Sequence, residues 1–245
     1  MGVVIWVWWI VGLLLAGCAS TTVNEPAARS NAELGLQYMT RGNYERALEK
    51  LERALGYDPD SVLTHHYLAE LYRRLERPKE SEQHFLEAIS LSREGDSRLY
   101  NNYGVFLCER QRVEEARQQF ERVLQNPVYP KADIYENLGF CYQKVGDNGV
   151  AESYFRQALG LKPERAKSLL AMAQLSFEQG KTLSTRAWLQ RLHAVQPPTA
   201  ETLWLGIQVE RQLGDFNSAD QLGKMLMERF AESEQAANYL ETIKP

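Results

Sequence analysis

Beyond about residue 28, apolar side chains recur at three- and four-residue steps with polar ones between them, the period of helices buried along one side. The pattern also repeats on a longer scale. Leu34-Gly35-x-x-Tyr38 is followed by Ala47, Leu51, Ala54 and Pro59, and Leu138-Gly139-x-x-Tyr142 by Ala151, Phe155, Ala158 and Pro163 at identical spacings. Gly35 and Gly139 allow a second helix to approach the backbone closely, and Tyr38 and Tyr142 fill the space beside them. Ala47 and Ala151 are small where the two helices cross. Gly42 and Gly146 close the first helix, and Pro59 and Pro163 stop the second.

Four weaker copies fill the chain between and after these two. They carry Leu68-Ala69, Tyr72, Ser81, Phe85 and Ala88, then Tyr103-Gly104, Leu107, Ala116, Phe120 and Val123. The fifth has Met172-Ala173, Gly180, Leu189 and Leu192, with Ser176 and Thr185 as poor matches. The sixth has Leu205-Gly206, Gly214 and Ala219, with one residue too many between its glycines. Starts at Ala28, Val62, Ser97, Ala132, Ala166 and Ala200 are separated by 34, 35, 35, 34 and 34 residues. This alternation of small and large positions resembles the tetratricopeptide repeat. It predicts an all-α fold, a right-handed solenoid of about six helix-turn-helix units over 28–61, 62–96, 97–131, 132–165, 166–199 and 200–233. A solenoid needs its last apolar face covered, so 234–245 reads as a short capping helix using Ala237, Tyr239, Leu240 and Ile243.

The amino-terminal segment is of another kind. Met1 to Gly17 has no charged side chain, and as a helix it would span about 26 Å, slightly short of the ~30 Å hydrocarbon core. It ends in small residues, as an export signal does. Leu15-Ala16-Gly17-Cys18 resembles the lipobox of bacterial lipoproteins, which implies cleavage after Gly17 and acylation of Cys18. Two or three acyl chains, at about 0.8 kcal/mol per buried methylene, make a near-permanent anchor. Ala19 and Ser20 follow the cysteine where an acidic residue would retain such a lipoprotein at the inner membrane, so the resemblance implies the periplasmic face of the outer membrane. The aperiodic stretch Ser20 to Ser30 reads as a flexible tether, with 18–29 linking lipid to repeats.

Composition narrows the chemistry. With 44% hydrophobic and 24% charged residues the chain is a folded protein, and a net charge of −4 without a basic run excludes nucleic acid as a partner. No phosphate-loop or nucleophile-elbow motif occurs. His65 and His66 are adjacent on a helix, about 100° apart, and cannot chelate one ion together; His84 and His193 lie in no Cys/His/acid cluster. The reading is a protein with no catalytic site, no metal and no cofactor. Cys108 and Cys141 fall on first helices of neighbouring repeats. A bridge needs Cα atoms within about 7 Å whereas packed helix axes lie about 8–10 Å apart, so two small half-buried thiols are expected.

A binding surface remains: first-helix residues that point away from the second helices. These are Ala32, Leu36 and Met39; Leu63, His66, Glu70 and Arg73; Asn101, Val105 and Cys108; Glu136, Phe140 and Gln143; and Leu170, Gln174 and Phe177. The partner-binding candidates among them are Leu36, Met39, Leu63, His66, Arg73, Val105, Phe140 and Phe177. Apolar side chains on such a wall suit an amphipathic or extended peptide. Ala32, Glu136 and Leu170 stand where repeats that grip acidic chaperone tails need Lys or Asn, which argues against that role.

Asn101-Asn102-Tyr103-Gly104-Val105-Phe106-Leu107-Cys108 resembles a stretch of the type IV pilus biogenesis and stability lipoproteins (PilW/PilF type). Leu203-Trp204-Leu205-Gly206-Ile207 and the opening Gly35-Leu36-x-Tyr38-x-x-x-Gly42-x-Tyr44 are similar to that family too. The resemblance implies a pilotin. It would bind secretin subunits, travel with them through the lipoprotein sorting machinery to the outer membrane, and promote their multimerisation for the pilus. The amino-terminal residues Leu36, Met39 and Leu63, nearest the lipid, are the expected docking point. A tetratricopeptide lipoprotein scaffold for barrel assembly or cell-wall hydrolase regulation is the alternative.

Overall fold

The computed structural model describes residues 23–92 and 95–243. Among them lie thirteen α-helices and no strand. The chain divides into two compact units, Met1–Leu91 and Ser92–Pro245. Unit 1 holds α1 (Glu25–Thr40), α2 (Tyr44–Tyr57), α3 (Val62–Arg74) and α4 (Pro78–Leu91). Unit 2 holds α5 (Ser97–Glu109), α6 (Val113–Leu124), α7 (Lys131–Lys144), α8 (Asn148–Leu161), α9 (Ala166–Glu178) and α10 (Thr182–Val195). It continues with α11 (Ala200–Gln212), α12 (Phe216–Phe230) and α13 (Glu234–Ile243). Odd and even helices pair as antiparallel hairpins, and successive hairpins within each unit stack on one another. The all-α class of helix-turn-helix units is the one the sequence predicts.

One boundary differs. Helix α1 begins at Glu25, inside the stretch read as a tether. Asn24 caps it, accepting from the Ala27 amide at 3.2 Å, and Pro26 sits in its first turn. The Asn24 amide also donates to the Tyr57 carbonyl at 3.0 Å, tying the helix start to the end of α2. One turn carries too few apolar residues to show a period, so only the cap and the proline could have signalled it.

Each of the six hairpins among the described residues turns through one left-handed residue just after its first helix. These are Gly42, Glu76, Gln111, Gly146, Gly180 and Gly214, with φ of 75°, 56°, 61°, 81°, 69° and 78°. Their spacing repeats the 34, 35, 35, 34 and 34 of the sequence pattern. Behind each turn a small residue of the first helix faces a large one of the second. A Cβ built on Gly104 would lie 2.7 Å from the Phe120 ring, and one on Gly139 would lie 2.5 Å from Phe155. The weak matches hold the same register. Ser81 is fully buried and donates to the Ala69 carbonyl at 2.8 Å; Thr185 is fully buried and donates to the Lys181 carbonyl at 3.1 Å.

The sixth hairpin corrects the sequence reading. Gly206 does face a large residue, since a Cβ there would lie 3.0 Å from Leu222, but this pair stands one residue ahead of the register. The residue in register, 34 after Ala173, is Ile207, which is fully buried, while Gly223 stands 34 after Leu189. At the register positions, Ile207 and Gly223, large and small have changed helices. The space over Gly223 is taken by the Tyr239 ring of α13, which a Cβ there would meet at 2.2 Å. The covering face of α13 is therefore Ala236 and Tyr239, with Ala237, Leu240 and Ile243 on its exposed side.

Candidate functional site

The proposed lipobox, Leu15, Ala16, Gly17 and Cys18, lies outside the described residues. The remaining candidates sit on first helices, and the two units treat them differently.

In unit 1, Met39 is only 3% exposed and belongs to the core with Ala32, Leu51 and Leu68. Leu36 and Leu63 are half-buried and pack on that core. The apolar residues expected to meet a partner instead fill their own unit, which removes Met39 and Ala32 from any binding surface. His66 is half-buried beside Phe85, ring centroids 6.3 Å apart. Arg73 is half-buried and donates to Glu70 at 2.9 Å.

In unit 2, Phe140 keeps 38% of its surface exposed, held edge-on by Phe155 with ring centroids 5.0 Å apart. Val105 and Phe177 are half-buried. Val105 and Phe140 line an open groove of about 250 Å³ between α5 and α7, together with Asn137, Lys144 and both cysteines. Asn137 donates to the Asn101 carboxamide oxygen at 2.9 Å, and Lys144 to the Glu109 carbonyl at 3.2 Å, so neighbouring first helices are pinned at both ends of the groove.

The groove floor contradicts the expectation of free thiols. Cys108 and Cys141 form a disulfide with Cα atoms 5.2 Å apart. Axes about 8–10 Å apart permit it because each Cα sits about 2.3 Å off its axis, so facing Cα atoms come within roughly 3.4–5.4 Å. The spacing of 33 residues within a 34–35-residue repeat was the usable signal.

Glu136, read as part of the wall, is buried. Arg165, the residue before α9, donates to it at 3.0 and 2.6 Å and also pairs with Asp133, while Ser168 donates at 2.6 Å. Burial alone would raise the Glu136 carboxyl, but these hydrogen bonds and the Arg165 charge carry it below the usual carboxylate value. The group clamps α7 to α9.

The histidines are engaged internally. Two of the three in unit 1 pair, His65 Nδ1 to His84 Nδ1 at 2.9 Å, and His65 Nε2 reaches the Pro59 carbonyl at 2.9 Å. Burial, then the neighbouring His65, pushes His84 down to about 4. His193 meets the Thr202 hydroxyl at 3.0 Å. No group of three or more His, Cys, Asp or Glu among the described residues is arranged to hold a metal ion.

Tetratricopeptide repeat family models match residues 33–97 and 95–164. The chain is 30% identical over 222 residues to the type IV pilus assembly protein PilF of Pseudomonas aeruginosa, covering 86% of this chain and 88% of that one. An uncharacterised protein of Haemophilus influenzae is 33% identical over 156 residues, 62% of this chain and 86% of its own. The solved structure of P. aeruginosa PilF matches with a TM-score of 0.73 at 29% identity, covering 89% of this chain and 98% of that one. PilW, described as a widely conserved type IV pilus biogenesis factor, matches with a TM-score of 0.76 at 27% identity, covering 89% and 100%. The hairpins and their register define a tetratricopeptide repeat protein. Within that class, the chain belongs to the PilF/PilW family of type IV pilus assembly proteins.

Proposed function

We propose that this protein is a pilotin: an outer-membrane lipoprotein, acylated on Cys18, that binds secretin subunits and promotes their delivery and multimerisation for the type IV pilus. The lipobox supports the location and the family supports the process. Phe140 carries the recognition. Its ring stands on a first helix with 38% of its surface exposed, fixed by Phe155 and flanked by Val105 over a covalently tied floor. A surface that needs no ordering on contact loses little affinity to entropy. The chemistry is association, with lipid supplying place and repeats supplying specificity.

The test replaces the chromosomal gene by Cys18→Ala or Phe140→Glu and follows heat-resistant secretin multimers and membrane fractions. Cys18→Ala should release the protein from the membrane and leave secretin mislocalised. Phe140→Glu should stay lipidated and folded but retain secretin at least tenfold more weakly. A deletion strain that still assembles secretin multimers in the outer membrane would overturn the pilotin reading.

A further inference from the structure

A second open site lies at the carboxyl-terminal end of unit 2, a cavity of about 300 Å³ formed by α9, α11 and the first turn of α13. Its apolar lining is Leu170, Trp204 and Leu205. Around them stand Gln174 on α9, Gln208 on α11 and Gln235 on α13. Among the described residues these three carboxamides and the Trp204 indole N–H have no hydrogen-bond partner. The ionisable group of the lining is the exposed carboxylate of Glu201.

This chemistry selects its ligand. With no Lys or Arg in the lining and one carboxylate, the site repels anions, including phosphates and acidic peptides. One carboxylate alone is too few ligands for a bound metal. Each glutamine offers a donor pair and an acceptor, the complement of a peptide unit, which presents one N–H and one C=O. Carboxamides on three helices match a strand laid across those helices rather than along one. The Trp204, Leu205 and Leu170 surface then takes an apolar side chain, and Glu201 a cation beside it.

Resting on the pilotin reading, we propose that this cavity binds an extended segment of the secretin subunit carrying an apolar side chain next to a Lys or Arg. It is separate from the Phe140 groove, and α13 is part of the recognition surface as well as a cover for the core.

The probe is a set of labelled 15-residue peptides tiling the secretin subunit, titrated by fluorescence polarisation against the detergent-solubilised lipoprotein. Retention of whole secretin is measured in parallel. At least one peptide with an apolar residue beside Lys or Arg should bind, at least tenfold more weakly to Gln208→Ala/Gln235→Ala and to Glu201→Lys. Replacing its base by Gln should abolish the effect of Glu201→Lys. These side chains are exposed or half-buried, and unchanged circular dichroism confirms the fold of each variant. If whole secretin is retained but no peptide binds, or binding ignores these substitutions, the cavity is not the site. If whole secretin is not retained by the unsubstituted protein, the pilotin reading fails and takes this inference with it.

Discussion

The first helices of units 1 and 2 place the same repeat positions in opposite service. Leu36 is in register with Val105 and Phe140, and Met39 with Cys108 and Phe177. In unit 1 Met39 is 3% exposed and Leu36 packs beside it. A cavity in that unit, about 290 Å³, is lined chiefly by polar groups, Glu25, Arg29, Asp58, Asp60 and Ser61. In unit 2 Phe140 stands 38% exposed beside an apolar groove. Repeat position therefore does not decide whether a side chain builds the core or meets a partner. What decides is whether neighbouring helices can close over it. In unit 2 the disulfide and the Asn101–Asn137 and Lys144–Glu109 bonds fix the helix spacing, so the face stays open.

Paired substitutions break that comparison most sharply. Met39→Glu places a carboxylate in a closed core and should cost about 4 kcal/mol or more, enough to unfold unit 1 in urea titrations. Phe140→Glu puts the same group at an open surface and should cost under about 1 kcal/mol while weakening secretin capture. Equal losses of stability in the two variants would refute the division into closed and open faces.

The disulfide comes next. It closes a loop of 33 residues, for which chain entropy gives a stabilisation of about 3–4 kcal/mol. Cys108→Ser/Cys141→Ser should lose most of that on denaturation of unit 2 and leave unit 1 unchanged. A variant with native stability and native secretin binding would show that the open face needs no covalent tie.

The periodicity carried most of the fold, because small-against-large positions recur at fixed spacing and each hairpin obeys them. Thr185 looks like a poor match yet holds register, as Ser81 does in a weaker copy, since each buried hydroxyl has a small residue's bulk and a nearby backbone carbonyl to donate to. The misreadings share one cause: the sequence names a position but not its neighbour. Met39 and Phe177 occupy one position, and only packing separates them. Nothing around Gly223 announces that Tyr239, 16 residues later, fills the space over it. Glu136 reads as a wall charge without Arg165, 29 residues away.

Smaller effects should follow pH. Pro59's carbonyl can only accept, so His65 Nε2 carries the proton and His65 Nδ1 accepts from His84 Nδ1–H. His84 also stacks on Tyr72, with centroids 5.5 Å apart, and Arg77 covers that ring at 4.7 Å. Protonating His84 would add charge where burial and the neighbouring His65 oppose it. With His84 at about 4 folded against 6.5 unfolded, its contribution is complete above about pH 6.5. The unfolded chain binds more protons below that, so stability is lost as pH falls from 6.5 toward 4. Thermal melts at pH 7 and 5 should show a larger drop for the native protein than for His84→Gln. Parallel pH slopes would remove the pair from the account.

The smallest expected effect compares the two units at their turns. Four of the six hairpins place glycine in the left-handed turn, but unit 1 uses Glu76 at φ 56° and unit 2 uses Gln111 at φ 61°. Both side chains are exposed, so substitution changes backbone preference with little packing. A β-carbon in this conformation costs about 1–2 kcal/mol, partly offset by the greater freedom glycine gives the unfolded chain. Glu76→Gly and Gln111→Gly should therefore each stabilise their own unit by about 0.5–1 kcal/mol. The reverse change calibrates this. A Cβ on Gly146 has no neighbour within 4 Å, so Gly146→Ala meets no clash and reports backbone strain alone. It should cost about 1 kcal/mol in the same denaturation experiment. If Gly146→Ala is neutral, the left-handed turns carry no strain and the gains at Glu76 and Gln111 will not appear. If all three respond with these signs, the turns are equivalent in both units, and the contrast between closed and open faces belongs to the first helices.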